Sequence, residues 1–240
     1  GHTPVCVLGG TSGSCLIWSG LTGSNGASGF EKFTNDIDAN LDRYGVKLVD
    51  GNKTWSMIDK SAALKAVALV AGRMESTKNR SGVDLFRESF SSSSENPIIM
   101  VMGTSAAGIY LGDGENPKSC ANITSGGCTT NSHTINFASL FPNGYFMSKV
   151  NNIIHELGHA FNAGHSSSPM DVMPEKYVAD RADIFLPNGI TVTYQMNTEQ
   201  TPSETFADLF LAWTIGAYRA TNLAGEASLW INGSMSVWLP

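Results

Sequence analysis

Three of the chain's five histidines fall in one short window, His155-Glu156-Leu157-Gly158-His159-Ala160-Phe161-Asn162-Ala163-Gly164-His165. Within it His155, Glu156 and His159 spell H-E-x-x-H. On a helix, side chains four apart stand one above the other, so both imidazoles reach a single metal ion. Zinc accepts neutral imidazoles, and Glu156 lies close enough to take a proton from a zinc-activated water. The chemistry that follows is metal-assisted hydrolysis with Glu156 as general base. The alternative is a helix whose histidines are ordinary surface or core residues. Face, spacing and the adjacent acid together favour the metal.

This chemistry requires a helix with two distinct faces. Ser148 is a candidate N-cap, and Val150, Ile153, Ile154, Leu157 and Phe161 recur at spacings of three and four. At about 100° per residue they form a stripe roughly 100° wide, with His155 and His159 about 160° from its centre. A helix that only covered a core would turn charged, flexible side chains to that side. This one turns histidines there, with Asn151, Asn152 and Asn162 nearby. Gly158 lowers helix propensity but lets another segment approach closely.

A catalytic zinc takes three protein ligands and leaves a fourth position open. Two residues compete for the third place. The run His155 to Pro174, HELGHAFNAGHSSSPMDVMP, resembles the zinc-site signature of metzincins, the matrix metalloproteases in particular. That resemblance implies His165 as third ligand and Met173 in a turn beneath the metal. It also implies a sharp left-handed turn at Asn162, where metzincins carry glycine and asparagine is the next most tolerated residue. The second candidate is Glu204, in Thr201-Pro202-Ser203-Glu204-Thr205-Phe206-Ala207-Asp208. An E-x-x-x-D downstream of H-E-x-x-H resembles gluzincins, and the fuller E-x-F-A-D form is similar to their lethal-factor-like and proline-specific secreted members. That resemblance implies Glu204 as ligand and Asp208 as hydrogen-bond partner of a ligand histidine, fixing its tautomer.

Glu204 has a plainer explanation too, since Thr201 to Glu204 reads as a capping box with Pro202 at the first helical position. A cap does not account for Asp208 one turn later. The segment Phe206 to Ile215 is apolar nearly all round, so it reads as a buried helix. A carboxylate on such a helix needs a partner, and a metal or a metal-bound histidine supplies one. Glu204 is therefore favoured over His165. Tyr194 is a candidate oxyanion donor by analogy with gluzincins, although its spacing suits a packing role.

The 240 residues suffice for one domain with a sizeable core. A single zincin-like catalytic domain is expected over 1–240, with an N-terminal lobe to about residue 145 and a helical lobe from about 146. A net charge of −6 argues against nucleic acid, whose phosphates need clustered Lys and Arg. No apolar run approaches the ~20 residues of a membrane span. The chain begins at Gly1 without methionine, from which removal of a preceding segment is expected. Cys6 with Cys15, and Cys120 with Cys128, form two near pairs. Two short disulfides in an oxidising, extracellular setting are the simplest of their connectivities, with buried free thiols the alternative. Four N-x-S/T sequons, at Asn52, Asn79, Asn122 and Asn232, are no more than accident supplies in so Asn-, Ser- and Thr-rich a chain.

Elements before the motif read as a mixture of strands and helices. Gly9 to Gly29 is irregular. Helical spacing runs from Phe30 to Tyr44, then from Ala62 to Met74 and from Val83 to Phe90. Val46–Val49 and the apolar run Ile98–Met102 read as strands, the latter central and buried. Ile109–Leu111 and Thr134–Phe137 are shorter strands. After Pro174 a loop is expected to reach Pro202, broken by a strand at Ile190–Tyr194. Trp230 and Trp238 flank a short apolar stretch that packs at the end of the chain. The class is α+β. By resemblance the fold is zincin-like, a mixed sheet whose edge strand lies over the H-E-x-x-H helix and pairs with extended substrate. Ile109–Leu111 or Thr134–Phe137 is the candidate edge.

These residues and resemblances imply a secreted, monomeric zinc-dependent metallopeptidase acting on peptide or protein substrates, without nucleic-acid or membrane partners. The alternative is a catalytically inactive zincin-fold binding protein.

Overall fold

The uninterrupted apolar run Ile98–Met102 needs apolar neighbours on both faces, and a strand inside a largely parallel sheet provides them. In the computed structural model of the chain, residues 36–90, 97–103, 126–129, 133–140, 146–166, 168–185 and 201–240 are described. Ile98–Met102 is strand β2 of a four-stranded sheet, beside β1 (Val46–Asp50). The sheet continues through β4 (Thr134–Ser139) to β3 (Gly126–Thr129). β1 and β4 both run parallel to β2, and β3 runs antiparallel to β4. The result is a mixed sheet in an α+β protein.

Thr134–Phe137, one of the two expected edge strands, is therefore interior, with neighbours on both sides. The edge of the described sheet is Gly126–Thr129. Its Gly-Gly-Cys-Thr sequence carries little strand propensity of its own, and pairing with β4 holds it in place. Ile109–Leu111 and Ile190–Tyr194 lie outside the described residues. So do Tyr194, Cys6, Cys15, Cys120 and the Cys128 side chain, and the proposed cysteine pairs with them.

Eight helices of one turn or more accompany the sheet among the described residues. They are α1 (Ile37–Arg43), α2 (Met57–Lys78), α3 (Gly82–Phe90), α4 (Phe146–Gly164), α5 (Ser168–Asp171), α6 (Glu175–Ala179), α7 (Pro202–Ile215) and α8 (Asn222–Trp238). Helix α2 starts five residues before the expected Ala62, because the Ser56 side chain caps it by accepting from the Asp59 N–H. It ends where Asn79 turns left-handed at φ 52°. Helix α4 begins at Phe146, so Ser148 lies inside its first turn rather than capping it.

The expected loop after Pro174 is helical at its start. Helix α6 and the 3-10 turn Arg181–Asp183 bury Tyr177, Ile184 and Phe185. Their apolar residues are too few to show a period in the sequence. Helix α8 was equally hidden, with Gly225, Gly233 and several serines diluting its pattern. Thr221 caps it, accepting from the Ala224 N–H at 3.1 Å, and its Trp230 and Trp238 rings pack together with centroids 5.7 Å apart. No helix of the described residues is long and apolar enough to cross a membrane.

Helix α4 is the centre of this arrangement. Val150, Ile153, Ile154, Leu157 and Phe161, its apolar stripe, are all fully buried. Lys149 anchors its first turn, donating to the Leu140 carbonyl and, at 2.8 Å, to Asp59 at the start of α2. Against α4 lies α7, whose Phe210 ring sits 5.5 Å from that of Phe161. The two helices cross at Gly158. A Cβ built there would fall 2.9 Å from the Ala207 Cα and 3.0 Å from the Phe210 Cβ. Neither atom can give way without moving α7.

Gly158→Ala is expected to push the two helices apart and destabilise the protein by roughly 1–3 kcal/mol, the usual range for overpacking. Urea denaturation measures this. A variant as stable as the parent would show that the contact has slack.

Candidate metal centre

The crossing at Gly158 sets α7 with its first turn over the two histidines of α4. Thr201 caps α7 by accepting from the Glu204 N–H at 3.3 Å, and Pro202 occupies the first turn. The backbone half of the anticipated capping box is thus formed. The Glu204 carboxylate goes elsewhere, with Oε2 3.2 Å from His155 Nε2 and Oε1 3.4 Å from His159 Nε2. The two Nε2 atoms are themselves 3.1 Å apart. Among the described residues, His155, His159 and Glu204 form a group whose ligand atoms all lie within 4.8 Å of one another.

Both histidines are held from behind. His155 is fully buried, and its Nδ1–H donates to Asp208 Oδ1 at 2.9 Å. The other oxygen of Asp208 accepts from Arg181 Nη2. His159 Nδ1 lies 3.1 Å from Ser203 Oγ, so a proton on Nδ1 leaves Nε2 as a lone-pair donor. Thr129, at the end of the edge strand, reaches Glu156: its hydroxyl lies 2.8 Å from Oε2 and 3.0 Å from the main-chain carbonyl, and shares one proton between them. The His155 side chain has no exposure, whereas His159 retains 16% and Glu204 30%, so the group opens to solvent on the α7 side.

The electrostatics of the group are compatible with a cation. Two imidazole nitrogens and a carboxylate converge with their lone pairs facing one another, an arrangement that needs protons or a cation between them. Among the protein's own groups, burial disfavours charge on His155. Hydrogen bonds to Asp208 and Glu204, with the charges of Asp208 and Glu156, outweigh it and lift the His155 pKa from 6.5 to about 10. Burial would raise Glu204, but hydrogen bonds from His155 and His159 hold it well below the usual carboxylate range. By formal charge, Glu156, Glu204 and Asp208 face the single guanidinium of Arg181. With His155 neutral the excess is two negative charges, which one divalent cation would offset. Two nitrogens and one carboxylate oxygen, with one side open, are a donor set that fits such an ion.

His165 stands apart from this group. Helix α4 runs on through Asn162 to Gly164, and the chain turns left-handed only at Ser166, φ 54°. Asn162 stays helical because its buried side chain accepts from the Met170 N–H at 2.9 Å, tying down the returning chain. Without a break at Asn162, His165 emerges on the other side. There it stacks on Phe161, with centroids 4.2 Å apart, and its ring nitrogens meet the Phe161 and Trp238 carbonyls. Met173 is buried in the turn that precedes α6.

Sequence reasoning passed over Arg181, Ser203 and Thr129. Ser203 stands beside Glu204 in the capping segment and could have been weighed for that reason alone. Arg181 and Thr129 carry no pattern, since they lie 27 residues from their site partners, Asp208 and Glu156 respectively. Comparison with protein-family models, with curated proteins and with solved structures finds no match for this chain.

Glu204→Ala is expected to abolish stoichiometric zinc uptake, read by elemental analysis after dialysis, while His165→Ala retains one equivalent. The opposite pattern would transfer the third ligand to His165.

Proposed function

We propose that this chain is a zinc-dependent peptidase of the zincin type, with a gluzincin-like ligand set. The observation that carries this is the convergence of His155, His159 and Glu204 from two helices, with Glu156 beside His155 and bonded to the edge strand. His155, His159 and Glu204 would hold the zinc, and Asp208 and Ser203 would orient the two rings. Bound zinc supplies a Lewis acid that polarises a carbonyl and makes water nucleophilic near neutral pH.

The chain's own residues account for the rest. Glu156 is an acceptor for the proton of attacking water and a donor back to the leaving amine. Thr129 keeps its carboxylate at the end of β3. Among the described residues β3 has no strand on its outer side, and its main-chain donors and acceptors there would pair with an extended peptide lying along the sheet edge next to Glu156. A substrate read through its backbone is a peptide or protein. The exposed flank formed by His159 and Glu204 is the side from which water and substrate enter. An extracellular setting accords with the spacing of the four cysteines.

Glu156→Gln is expected to leave the protein folded and zinc-loaded while lowering hydrolysis of a general protein substrate about 10²–10⁴-fold. Casein zymography with and without chelator, alongside zinc analysis, makes the measurement. Turnover at the parent rate in the variant would contradict the role of Glu156. A zinc-loaded parent that hydrolyses no protein substrate would leave a binding protein built on the same site.

A further inference from the structure

Arg181 is 1% exposed, yet among the described residues only Nη2 is engaged, on Asp208 Oδ2, while Nε and Nη1 find no hydrogen-bond partner there. A guanidinium stays charged wherever the protein is folded, and burying it with donors unmet is unfavourable. As a fastener for the fold the arrangement is poor, because an apolar side chain of like volume would serve as well or better. What the contact accomplishes lies one bond further on. Asp208 gives one oxygen to Arg181 and the other to the Nδ1–H of His155, so its carboxylate is held at both ends. The plane of the His155 ring, and the proton on its Nδ1, are set by a chain of two hydrogen bonds that begins at Arg181.

The start of that chain is itself braced. The 3-10 turn Arg181–Asp183 is followed by Ile184 and Phe185, both fully buried. The connection between α7 and α8 clasps this stretch at three carbonyls. The Arg219 backbone N–H donates to Ile184 at 2.9 Å, Arg219 Nε to Phe185 at 2.8 Å, and Thr221 Oγ1 to Asp183 at 2.6 Å. Arg181 is thus presented to Asp208 from a segment with little freedom.

We infer that Arg181 is a positioning residue of the metal centre: through Asp208 it fixes the orientation and tautomer of His155, and with them the affinity and geometry of the bound divalent ion. The inference rests on His155, His159 and Glu204 being the metal site. It assigns the affinity of that site to a residue that touches neither the metal nor a ligand.

The test is a cycle of Arg181→Met, Asp208→Asn and the double variant in the full chain, with zinc affinity read by competition and geometry by the visible spectrum of the cobalt-loaded protein. Arg181→Met is expected to weaken zinc binding 10–100-fold, the usual effect of losing an outer-shell partner, and to shift the cobalt bands. In the Asp208→Asn background the same change is expected to add less than about threefold, since the route through Asp208 is already cut. Arg181→Lys, which keeps a charge but not the planar fork, is expected to lose several-fold less than Arg181→Met, and it serves as the readout if Arg181→Met does not fold. Parental affinity and spectrum in either folded variant, or full additivity in the double variant, would overturn the role. A parent that takes up no equivalent of zinc would overturn the site itself, and this role with it.

Discussion

The close crossing of α4 and α7 at Gly158 is the constraint from which the rest of the structure follows. Helices carrying ordinary side chains at the contact pack 8–10 Å apart. Here a missing Cβ lets Ala207 and Phe210 settle onto the backbone of α4. Only at that separation do a carboxylate from the first turn of α7 and two imidazoles from α4 meet within 4.8 Å. The same approach sets Asp208, one turn further along α7, against the far nitrogen of His155. One steric vacancy thus supplies both a candidate ligand and the support for another.

Around that contact the protein alternates charge in shells. The candidate ligand group is flanked by Asp208, and Asp208 by the guanidinium of Arg181, with His155, Asp208 and Arg181 removed from water. Such a cluster is unfavourable in an apolar interior unless its net charge is balanced. With His155 neutral, the formal excess is two negative charges, which one divalent cation would offset. Stability is found elsewhere, in the apolar faces of α2, α4 and α7 and in aromatic contacts among Phe90, Phe161 and Phe210. The scaffold holds a polar site that would not hold itself together.

How far the sequence could be read depended on the range of each interaction. The strand Ile98–Met102 and the inward stripe of α4 were legible because strand and helix periods are properties of neighbouring residues. The start of α2 was misplaced because its capping by Ser56 precedes the apolar repeat. Helix α8 and the turns around Arg181 escaped because glycine, serine and short length leave no period to detect. The expected edge strand proved interior, since a strand's neighbours are a matter of topology, and Thr134–Phe137 looks the same from its own residues either way.

The choice between His165 and Glu204 marks the same boundary. By itself the amino-acid sequence determined that two histidines share one helical face opposite an apolar stripe, with a glutamate next to the first, because that follows from 3.6 residues per turn. It also brought two further ligand candidates within view. Whether the chain turned at Asn162 was decided by a contact eight residues away, the hydrogen bond from the Met170 N–H, which keeps Asn162 helical and carries His165 off to Phe161 and Trp238. Whether Glu204 arrived was decided by how closely α7 could lie on Gly158. Ligand types are written in the chain, but a ligand set is a set of distances, and the distances between remote segments come only from packing.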